Sequence, residues 1–393
     1  MRHSTRRGFL VASASAAAAA ALALTGCSSG GTTPEPSDSA AAFEPLTEIT
    51  LQLQWLPQAQ FAGYYVAQEM GYFEEEGFTS VDIVPSGGDI VPQNALIDGD
   101  ADFAVAWVPK VLGSMEAEGI ELTNIAQTFQ ASGTLQVAWA DSGIESVADF
   151  EGKRIGSWGF GNEWEIFAAM AEQGLDSTTV EIVTQDFSMN ALLNGDVDAA
   201  QAMTYNELAQ LFEVVNPEDG ELYGPDDVNI IAYEETGGAM LQDAIWADTE
   251  RLESDPAYAD AAVRFLKAVI KGWVYARDNV EDAAALVWDV ASTAEAAFPV
   301  GPVHQLWMLN ETNKLIWTGG DFGLIDQAAW DQTVEGALIA VNQDGLNLIT
   351  EEPSETAYSN EYIQAALDAL KAEGVEVGGT YTPIEVVLTE GGQ

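Results

Sequence analysis

The fold is decided by residues 47–107, which open with TEITLQLQWLPQAQFAGYYVAQEMGYFEEEGFTSVDIVPSGG (47–88). TEITLQLQWL (47–56) alternates apolar and polar residues and predicts a first strand, and AQFAGYYVAQEMGYFEEEG (59–77) predicts the helix after it. Three further segments predict a second strand, a second helix and a third strand: SVDIVPSGG (80–88), DIVPQNALIDGD (89–100) and ADFAVAW (101–107). This order indicates a doubly wound α/β unit with mainly parallel strands.

The same order of elements returns further along the chain. Strand, helix, strand, helix and strand are predicted, in turn, for GKRIGSWG (152–159), NEWEIFAAMAEQG (162–174), VEIVTQ (180–185), SMNALLNGD (188–196) and AAQAMTY (199–205). In the first of these helices, Asn162 stands where a capping side chain is expected. No residue-level repeat relates the two units, so the likeness is one of architecture.

After residue 246 the pattern becomes helical. Helices are predicted for PAYADAAVRFLKAVIKGWVYARDN (256–279), VEDAAALVWDVAS (280–292), QAAWDQTVEGALIAVNQ (327–343) and NEYIQAALDALKAEG (360–374). We predict that these helices pack back on the first unit. Lobe 1 then comprises 46–138 plus 246–393 and lobe 2 comprises 139–245, with a hinge and a cleft between two doubly wound α/β lobes.

Composition excludes several classes of function. The chain has 393 residues with 13 Lys+Arg and 63 Asp+Glu, a formal net charge of −50, which argues against a nucleic-acid partner. With a single Cys and two His residues, His3 and His304, it lacks the side chains for disulfides, Cys- and His-based metal sites and His-based triads. We therefore expect no metal and no cofactor.

The N-terminus is predicted to be an export signal. Residues 1–27 combine a basic start, an Ala-rich apolar stretch and small residues before Cys27. TRRGFL (5–10) resembles the twin-arginine motif, and LTGC (24–27) resembles a lipobox, whose Cys is lipid-modified after cleavage. An uncleaved membrane helix is the alternative. Residues 28–45 are rich in small and polar residues and are predicted to be a disordered tether.

Five motifs resemble motifs of one protein family and follow each other in the same order along the chain. They are QWLPQAQFAGYYVAQEMGYFEEEGFTSVDIVPSGG (54–88), DGDADFAVAW (98–107), DFEGKRIGSWGFGNEWE (149–165), DAAQAMTYNE (198–207) and NKLIWTGGDFGLIDQAAW (313–330). The chain resembles the solute-binding proteins of bacterial ABC importers in the thiamine-pyrimidine-precursor-binding family, over roughly residues 47–370. The resemblance implies a type II periplasmic-binding-protein fold with two lobes joined by a hinge, and delivery of the ligand to a membrane permease with its ATPase. The export signal and lipobox predict an extracytoplasmic location with a lipid anchor at Cys27.

The resemblance leaves the ligand open. An aminopyrimidine precursor of thiamine is the first expectation, while related proteins bind riboflavin, nitrate, sulfonates or taurine. Between residues 111 and 250 the only basic residues are Lys153 and Arg154, which argues against an anionic ligand in lobe 2. A related yeast enzyme makes the pyrimidine from its own His with pyridoxal phosphate, but it depends on a Cys-rich stretch that this chain lacks. We expect a monomeric binding protein rather than an enzyme.

Candidate ligand-binding residues stand near the carboxyl ends of predicted strands, where open α/β sheets bind ligands. They are Trp55, Gln58, Phe61, Tyr64, Trp107, Gln127, Phe129, Trp158, Phe160, Asn162, Tyr205, Asn206 and Glu207. Aromatic rings there are able to stack on a flat ligand, although each is equally compatible with a place in the core. Of Tyr64 and Tyr65, which point to different faces of a helix, at most one faces the cleft.

The triplet Tyr205-Asn206-Glu207 is the strongest candidate, and the resemblance implies the same triplet. Tyr205 is able to stack, while Glu207 is able to accept a hydrogen bond from an amino group of the ligand. The alternative is a helix start, with Asn206 as the cap and Glu207 in the first turn. Glu163 and Glu165 lie two residues apart on a predicted helix and are interpreted as a solvated face. His304 is interpreted as an ordinary helix residue, because no carboxylate or Cys cluster lies near it in the sequence.

Overall fold

The computed structural model describes residues 43–87, 91–294 and 300–393. The predicted signal, Cys27 and nearly all of the tether lie outside these residues. The strands are β1 Glu48–Gln52, β2 Ser80–Val84, β3 Phe103–Trp107, β4 Leu122–Gln127, β5 Thr134–Trp139, β6 Arg154–Ser157, β7 Glu181–Thr184, β8 Ala199–Met203, β9 Val228–Ala232, β10 Asp243–Asp248, β11 Thr318–Asp321 and β12 Gly378–Thr380.

The predicted helices are present in the predicted order. The helices of the structure are α1 Ala62–Glu69, α2 Tyr72–Glu75, α3 Pro92–Ile97, α4 Val108–Glu118, α5 Trp164–Glu172, α6 Asn190–Leu193, α7 Glu207–Phe212, α8 Thr249–Ser254, α9 Pro256–Asp278, α10 Val280–Thr293, α11 Pro302–Ile316, α12 Gln327–Ile339 and α13 Glu361–Ala372. Helices α4 and α8 were not predicted from the sequence, and of α11 only the helical position of His304 was predicted. None of the helices within the described residues is long and apolar enough to cross a membrane. The helix predicted over 59–77 is divided, because Gly71 adopts a left-handed φ of 75° between α1 and α2.

Two five-stranded sheets form the two lobes. Lobe 1 is built on the order β2-β1-β3-β10-β4 and lobe 2 on the order β7-β6-β8-β5-β9. In each sheet one strand, β10 or β5, runs antiparallel to its two neighbours, and the other pairings are parallel. The predicted doubly wound α/β class is confirmed. Because the parallel strands point the same way, their carboxyl ends meet at one edge of each sheet.

Two crossings join the lobes, between β4 and β5 and between β9 and β10. Gln242 on the second crossing links them: its Oε1 accepts the Gly133 N–H at 2.9 Å, and its Nε2 donates to Glu165 Oε2 at 3.0 Å. Glu165 Oε1 also accepts the Met240 N–H at 2.9 Å. The interpretation of Glu165 as part of a solvated face is wrong, because the side chain is buried at this junction and burial raises the pKa of its carboxyl.

The core of lobe 1 is organised around the buried helix α9, which packs closely on α1. A Cβ added at Gly272 of α9 would lie 2.0 Å from the Gly63 carbonyl oxygen of α1. A Cβ at Gly63 would lie 2.3 Å from the Trp273 ring. The two glycines are therefore required for this helix crossing.

Candidate functional site

A cavity of about 580 Å³ lies between the lobes, at the carboxyl edges of both sheets. Aromatic side chains from five strand ends line it: those of β1, β3, β6, β7 and β8 contribute Trp55, Trp107, Trp158, Phe187 and Tyr205. Strands of parallel sheets end together, so residues far apart in sequence converge here. The cavity has the size and the mainly apolar lining of a small-molecule site.

The lobes meet through aromatic rings at this cavity. The centroid of Phe187 lies 4.4 Å from that of Trp55 in lobe 1 and 5.9 Å from that of Trp158 in lobe 2. The Phe187 and Trp158 rings are stacked with an interplanar angle of 21°. Sequence reasoning missed Phe187, although it follows strand β7 just as Trp158 follows β6, and that position was the available signal.

The loop between β6 and α5 is shaped by a buried glutamine. Gln201 on β8 accepts the Trp158 N–H at 3.0 Å through Oε1 and donates from Nε2 to the Asn162 carbonyl at 2.7 Å. Asn162 Nδ2 donates to the Gly159 carbonyl at 2.8 Å and does not cap α5. Within this loop Phe160 has a φ of 56°, a strained conformation for a residue with a Cβ, and its side chain is 82% exposed at the cavity rim.

Asp243 at the start of β10 organises the lobe 1 wall. Its Oδ1 accepts hydrogen bonds from Trp107 Nε1, at 2.8 Å, and from Gln54 Nε2, and its Oδ2 accepts one from Gln60 Nε2 at 2.9 Å. Burial raises the pKa of the Asp243 carboxyl to about 6, against the lowering effect of these donors. Asp243 fixes the orientation of the Trp107 indole. Sequence reasoning missed it because Trp107 is 136 residues away.

Glu207 lies on the lobe 2 wall at the first position of α7. One carboxylate oxygen accepts the Met203 N–H at 3.0 Å and the other accepts from Asn206 Nδ2 at 2.9 Å. Burial raises the pKa of the Glu207 carboxyl to about 7. Helix α7 does begin where the alternative interpretation placed it, but the Asn206 side chain makes no capping hydrogen bond.

His304 on α11 connects this wall to the C-terminal helices. It is fully buried, with Nδ1 2.8 Å from Glu213 Oε1 and Nε2 3.0 Å from Asn206 Oδ1. His304 lies on a helix, as predicted, and folding brings a carboxylate to it from a residue 91 positions away in the sequence. Its contacts hold Asn206, which lines the cavity beside Glu207.

Several polar atoms of the lobe 1 wall have no partner within the described residues. They include the side-chain oxygens of Gln54, Gln58 and Gln93, all of which line the cavity. Lys110 on α4 also lines it, with Nζ 5.1 Å from the centroid of the Trp107 ring. Sequence reasoning missed Lys110, whose place at the start of a helix after a strand end was the only signal. Buried oxygens without partners are suited to accept hydrogen bonds from a ligand.

Nine of the thirteen candidate residues line the cavity: Trp55, Gln58, Trp107, Trp158, Phe160, Asn162, Tyr205, Asn206 and Glu207. The other four are buried elsewhere. Phe61 and Tyr64 pack in the lobe 1 core, with the Tyr64 ring against Trp273. Phe129 packs edge-on against Tyr205, and Gln127 Nε2 donates to the Phe129 carbonyl at 2.9 Å. The structure therefore places these four behind the cavity wall rather than on it.

The described residues contain no group of three or more His, Cys, Asp or Glu side chains able to hold a metal ion. The chemistry available at the cavity is that of aromatic faces, amide and carboxylate acceptors and one ammonium group.

The chain is similar to proteins whose names refer to solute binding or to thiamine biosynthesis. The model of a family described as NMT1/THI5 like matches residues 58–283. A protein of Haemophilus influenzae named for thiamine biosynthesis is 28% identical over 191 residues, 48% of this chain and 60% of that protein. The formylaminopyrimidine-binding protein of Halalkalibacterium halodurans is 24% identical over 303 residues, 76% of this chain and 87% of that protein.

Other relatives differ in their named roles. The riboflavin-binding protein of Chloroflexus aurantiacus is 29% identical over 198 residues, 48% of this chain and 56% of that protein. A 4-amino-5-hydroxymethyl-2-methylpyrimidine phosphate synthase of Legionella pneumophila is 28% identical over 153 residues, 38% of this chain and 47% of that protein. The chain thus spans less than two thirds of the Haemophilus, Chloroflexus and Legionella proteins.

Solved structures confirm the predicted fold. A Bordetella bronchiseptica protein superposes with a TM-score of 0.59 at 16% identity, covering 83% of this chain and 98% of that one. A Candida albicans protein described as having the generic periplasmic binding protein fold superposes with a TM-score of 0.51 at 13% identity, covering 87% and 100%.

Proposed function

The chain belongs to the NMT1/THI5-like family, and on that premise we propose that it is the solute-binding lipoprotein of an ABC importer. Its ligand is a small flat heteroaromatic, first among them an aminopyrimidine precursor of thiamine. The observation that carries the proposal is the interlobe cavity, which is lined by seven aromatic side chains together with Gln54, Gln58 and Glu207, whose side chains carry acceptor oxygens. A flat ring with amino groups complements both features.

Stacking and hydrogen bonding together account for a useful affinity. Each stack contributes about 1–3 kcal/mol by analogy with bases on aromatic side chains. A hydrogen bond to a charged acceptor such as Glu207 adds about 1.5–3 kcal/mol. Two stacks with one or two such bonds reach about −8 kcal/mol, which corresponds to micromolar affinity before the ordering costs. This is sufficient for a scavenging receptor.

Closure of the lobes couples binding to delivery. The cavity has a wall on each lobe, so a ligand that contacts both walls favours the closed arrangement. The closed lobes then present the surface that the permease recognises, and the permease works with its ATPase. Export through the twin-arginine motif and lipid attachment at Cys27 would keep the protein at the outer face of the cell membrane, as a monomer.

Other ligands and an enzymatic role are the alternatives. Riboflavin is also flat, and its binding protein in Chloroflexus aurantiacus is a relative. Nitrate, a sulfonate or taurine would need cations, and Lys110 is the cation among the described residues lining the cavity. A pyrimidine synthase, the name of the Legionella relative, would form an imine with pyridoxal phosphate. Absence of an imine absorbance band on incubation with that compound supports the binding protein.

The proposal is tested by a thermal-shift screen of the full chain in detergent at moderate salt. The probes are thiamine-precursor aminopyrimidines, thiamine, riboflavin, nitrate and taurine. Stabilisation by an aminopyrimidine alone is the expected result, because a ligand of the folded state raises the melting temperature. Stabilisation by riboflavin alone or by an anion alone assigns a different ligand. No stabilisation by any probe contradicts the proposal.

A further inference from the structure

A chain of buried hydrogen bonds runs from helix α11 to the cavity. His304 lies on α11, which packs on α10 of lobe 1 and on α7 of lobe 2. Its Nδ1 is 2.8 Å from Glu213 Oε1, and its Nε2 is 3.0 Å from Asn206 Oδ1. Asn206 Nδ2 continues the chain and donates to Glu207 Oε1 at 2.9 Å. His304 and Glu213 do not line this cavity, so they act on a ligand only through the residues that do.

The orientation of the Asn206 amide decides which ring nitrogens of His304 carry protons. Asn206 Oδ1 accepts from Gln210 Nε2 at 3.1 Å, while Nδ2 faces Glu207, whose carboxylate accepts hydrogen bonds and does not donate them. His304 Nε2 therefore faces an acceptor, just as Nδ1 faces the Glu213 carboxylate. A histidine with acceptors at both nitrogens donates from both and is a cation. In this arrangement His304 is an imidazolium paired with Glu213.

The opposite amide orientation would reverse the hydrogen bond at the cavity. A neutral His304 that keeps its Nδ1–H toward Glu213 presents a lone pair on Nε2, which accepts from a turned Asn206 amide. Asn206 Oδ1 would then face Glu207, and two acceptors in contact favour the protonated carboxyl group. Gln210 follows either orientation, because its amide has a donor at one end and an acceptor at the other.

Burial makes the charge of Glu207 sensitive to this choice. Burial raises the pKa of its carboxyl to about 7, while the hydrogen bonds from the Met203 N–H and from Asn206 Nδ2 act in the opposite direction. Burial also raises the pKa of the neighbouring Tyr205 phenol, which therefore stays neutral. Near neutral pH, the hydrogen bond from Asn206 thus shifts Glu207 toward the carboxylate form.

His304 and Glu213 form an enclosed pair. Both side chains are buried, and Glu213 on α7 is the carboxylate that pairs with His304 among the described residues. Gly392 packs on them from the C-terminal segment, where an added Cβ would lie 2.8 Å from His304 Cβ and 2.9 Å from Glu213 Oε1. A buried cation is destabilised when its partner loses charge. Removal of the Glu213 charge should therefore leave His304 neutral.

We propose that His304, held as a cation by its carboxylate partner, orients the Asn206 amide so that Glu207 meets the ligand as a charged acceptor. His304 is thus a positioning residue that sets the hydrogen-bond polarity of the lobe 2 wall. The inference rests on the proposed function for the identity of the ligand, whereas the protonation of His304 is a property of the protein alone.

The first measurement is NMR of the histidine ring nitrogens in the full chain carrying isotope-labelled histidine. The chain has two His residues, His3 and His304, so that His3→Asn identifies the signals of His304. At neutral pH both ring nitrogens of His304 should carry protons. Glu213→Gln keeps an acceptor at Nδ1 and removes the charge, so one ring proton should remain. A neutral His304 in the original protein, or a ring that keeps both protons in Glu213→Gln, overturns the inference.

The second measurement is the pH dependence of ligand affinity by isothermal titration calorimetry. The probe is 4-amino-5-hydroxymethyl-2-methylpyrimidine, the aminopyrimidine in the name of the Legionella relative. The affinity of the original protein should fall as the pH falls through about 7, because Glu207 takes up a proton. In Glu213→Gln the fall should begin about one pH unit higher, so that affinity is about fivefold weaker at neutral pH and about equal above about pH 9.

A matched variant controls for the loss of a carboxylate from lobe 2. Glu234→Gln should follow the original curve, because Glu234 accepts the Ser132 N–H and does not line the cavity. Circular dichroism and melting temperature establish that both variants fold. Equal affinity of Glu213→Gln and the original protein at neutral pH, or a loss of the same size at every pH, overturns the inference.

The two readouts separate failure of the inference from failure of the proposed function. If the probe binds neither the original protein nor the variants, the proposed ligand class fails. The NMR result then decides by itself whether His304 is the cation that orients Asn206. If the probe binds and His304 is neutral, the inference fails and the proposed function stands.

Discussion

The two walls of the cavity satisfy their polar groups differently. On lobe 2, the Glu207 carboxylate and the Asn206 amide are held by hydrogen bonds from their own lobe and from His304. On lobe 1, the side-chain oxygens of Gln54 and Gln58 have no partner among the described residues, although their amide nitrogens do. The carboxylate and amide of the lobe 2 wall are therefore held before a ligand arrives, although the Trp158 indole N–H on that wall has no partner among the described residues. The amide oxygens of the lobe 1 wall retain hydrogen-bonding capacity for a ligand.

The largest expected effect is on ligand affinity, when the Tyr205 ring is removed from the lobe 2 wall. Tyr205→Ala should weaken aminopyrimidine binding by about 1–3 kcal/mol, or roughly 5- to 150-fold, because a stacking surface is lost. Titration calorimetry measures the change. Tyr205→Phe keeps the ring and should stay close to the original affinity. If alanine and phenylalanine behave alike, the ring does not stack on the ligand.

The next effect in size is that of the carboxylate. Glu207→Gln should weaken aminopyrimidine binding by about tenfold or more, since a charged acceptor becomes a neutral one. Glu234→Gln is the matched control, because Glu234 accepts the Ser132 N–H and does not line the cavity. Both affinities are measured by calorimetry at one pH. An unchanged affinity in Glu207→Gln would remove this residue from the site.

A pair of variants compares the walls directly. Asn206→Leu should lower the free energy of unfolding by about 1–3 kcal/mol, since it removes hydrogen bonds to Glu207, Gln210 and His304. Gln58→Met removes one side-chain hydrogen bond, to Gln60, and also removes a side-chain oxygen that has no partner among the described residues. It should therefore lower the free energy of unfolding by less than about 1 kcal/mol.

Ligand binding should separate the same two variants. Gln58→Met should weaken aminopyrimidine binding several-fold while it leaves stability nearly unchanged. Urea unfolding gives the stability and calorimetry gives the affinity. A large stability loss in Gln58→Met would show that the lobe 1 wall is as fully organised as the lobe 2 wall, which contradicts the comparison.

The smallest expected effect is a pH dependence of stability. Burial raises the pKa of Glu207 from its usual 4.5 to about 7, so between these values the unfolded chain releases a proton that the folded protein retains. The contribution of Glu207 to stability is therefore complete below pH 4.5 and is lost as the pH rises through 7. The free energy of unfolding, measured with urea between pH 4.5 and 8, should fall more steeply with rising pH in the original protein than in Glu207→Gln. Parallel curves would contradict the raised pKa.

Much of the architecture was predictable because it depends on local pattern. Alternating strands such as β1 and β3, and helices such as α5, were located from periodicity. The division between α1 and α2 at Gly71 was not predicted, because the apolar residues continue across it without interruption. Strand-end positions also located Trp55 and Tyr205, because parallel strands place their carboxyl ends at one edge.

The choice among candidate residues depended on packing that no local pattern contains. Phe61 and Tyr64 belong to the same segment as Trp55 and Gln58, yet they turn into the lobe 1 core. Phe129 lies two residues after the end of β4, near a strand end like Trp107, but it packs behind Tyr205 rather than on the cavity.

The sequence by itself determined the α/β class, the family and the strand-end positions of most aromatic residues at the cavity, because apolar periodicity and short motifs are local properties of the chain. The tertiary structure alone decided that Asp243 orients Trp107, that His304 meets Glu213 and that Lys110 lines the cavity with its ammonium group over the Trp107 ring. Those relations join residues that are distant in sequence or lie on different lobes. The burial and charge of such groups exist only once the two sheets are assembled.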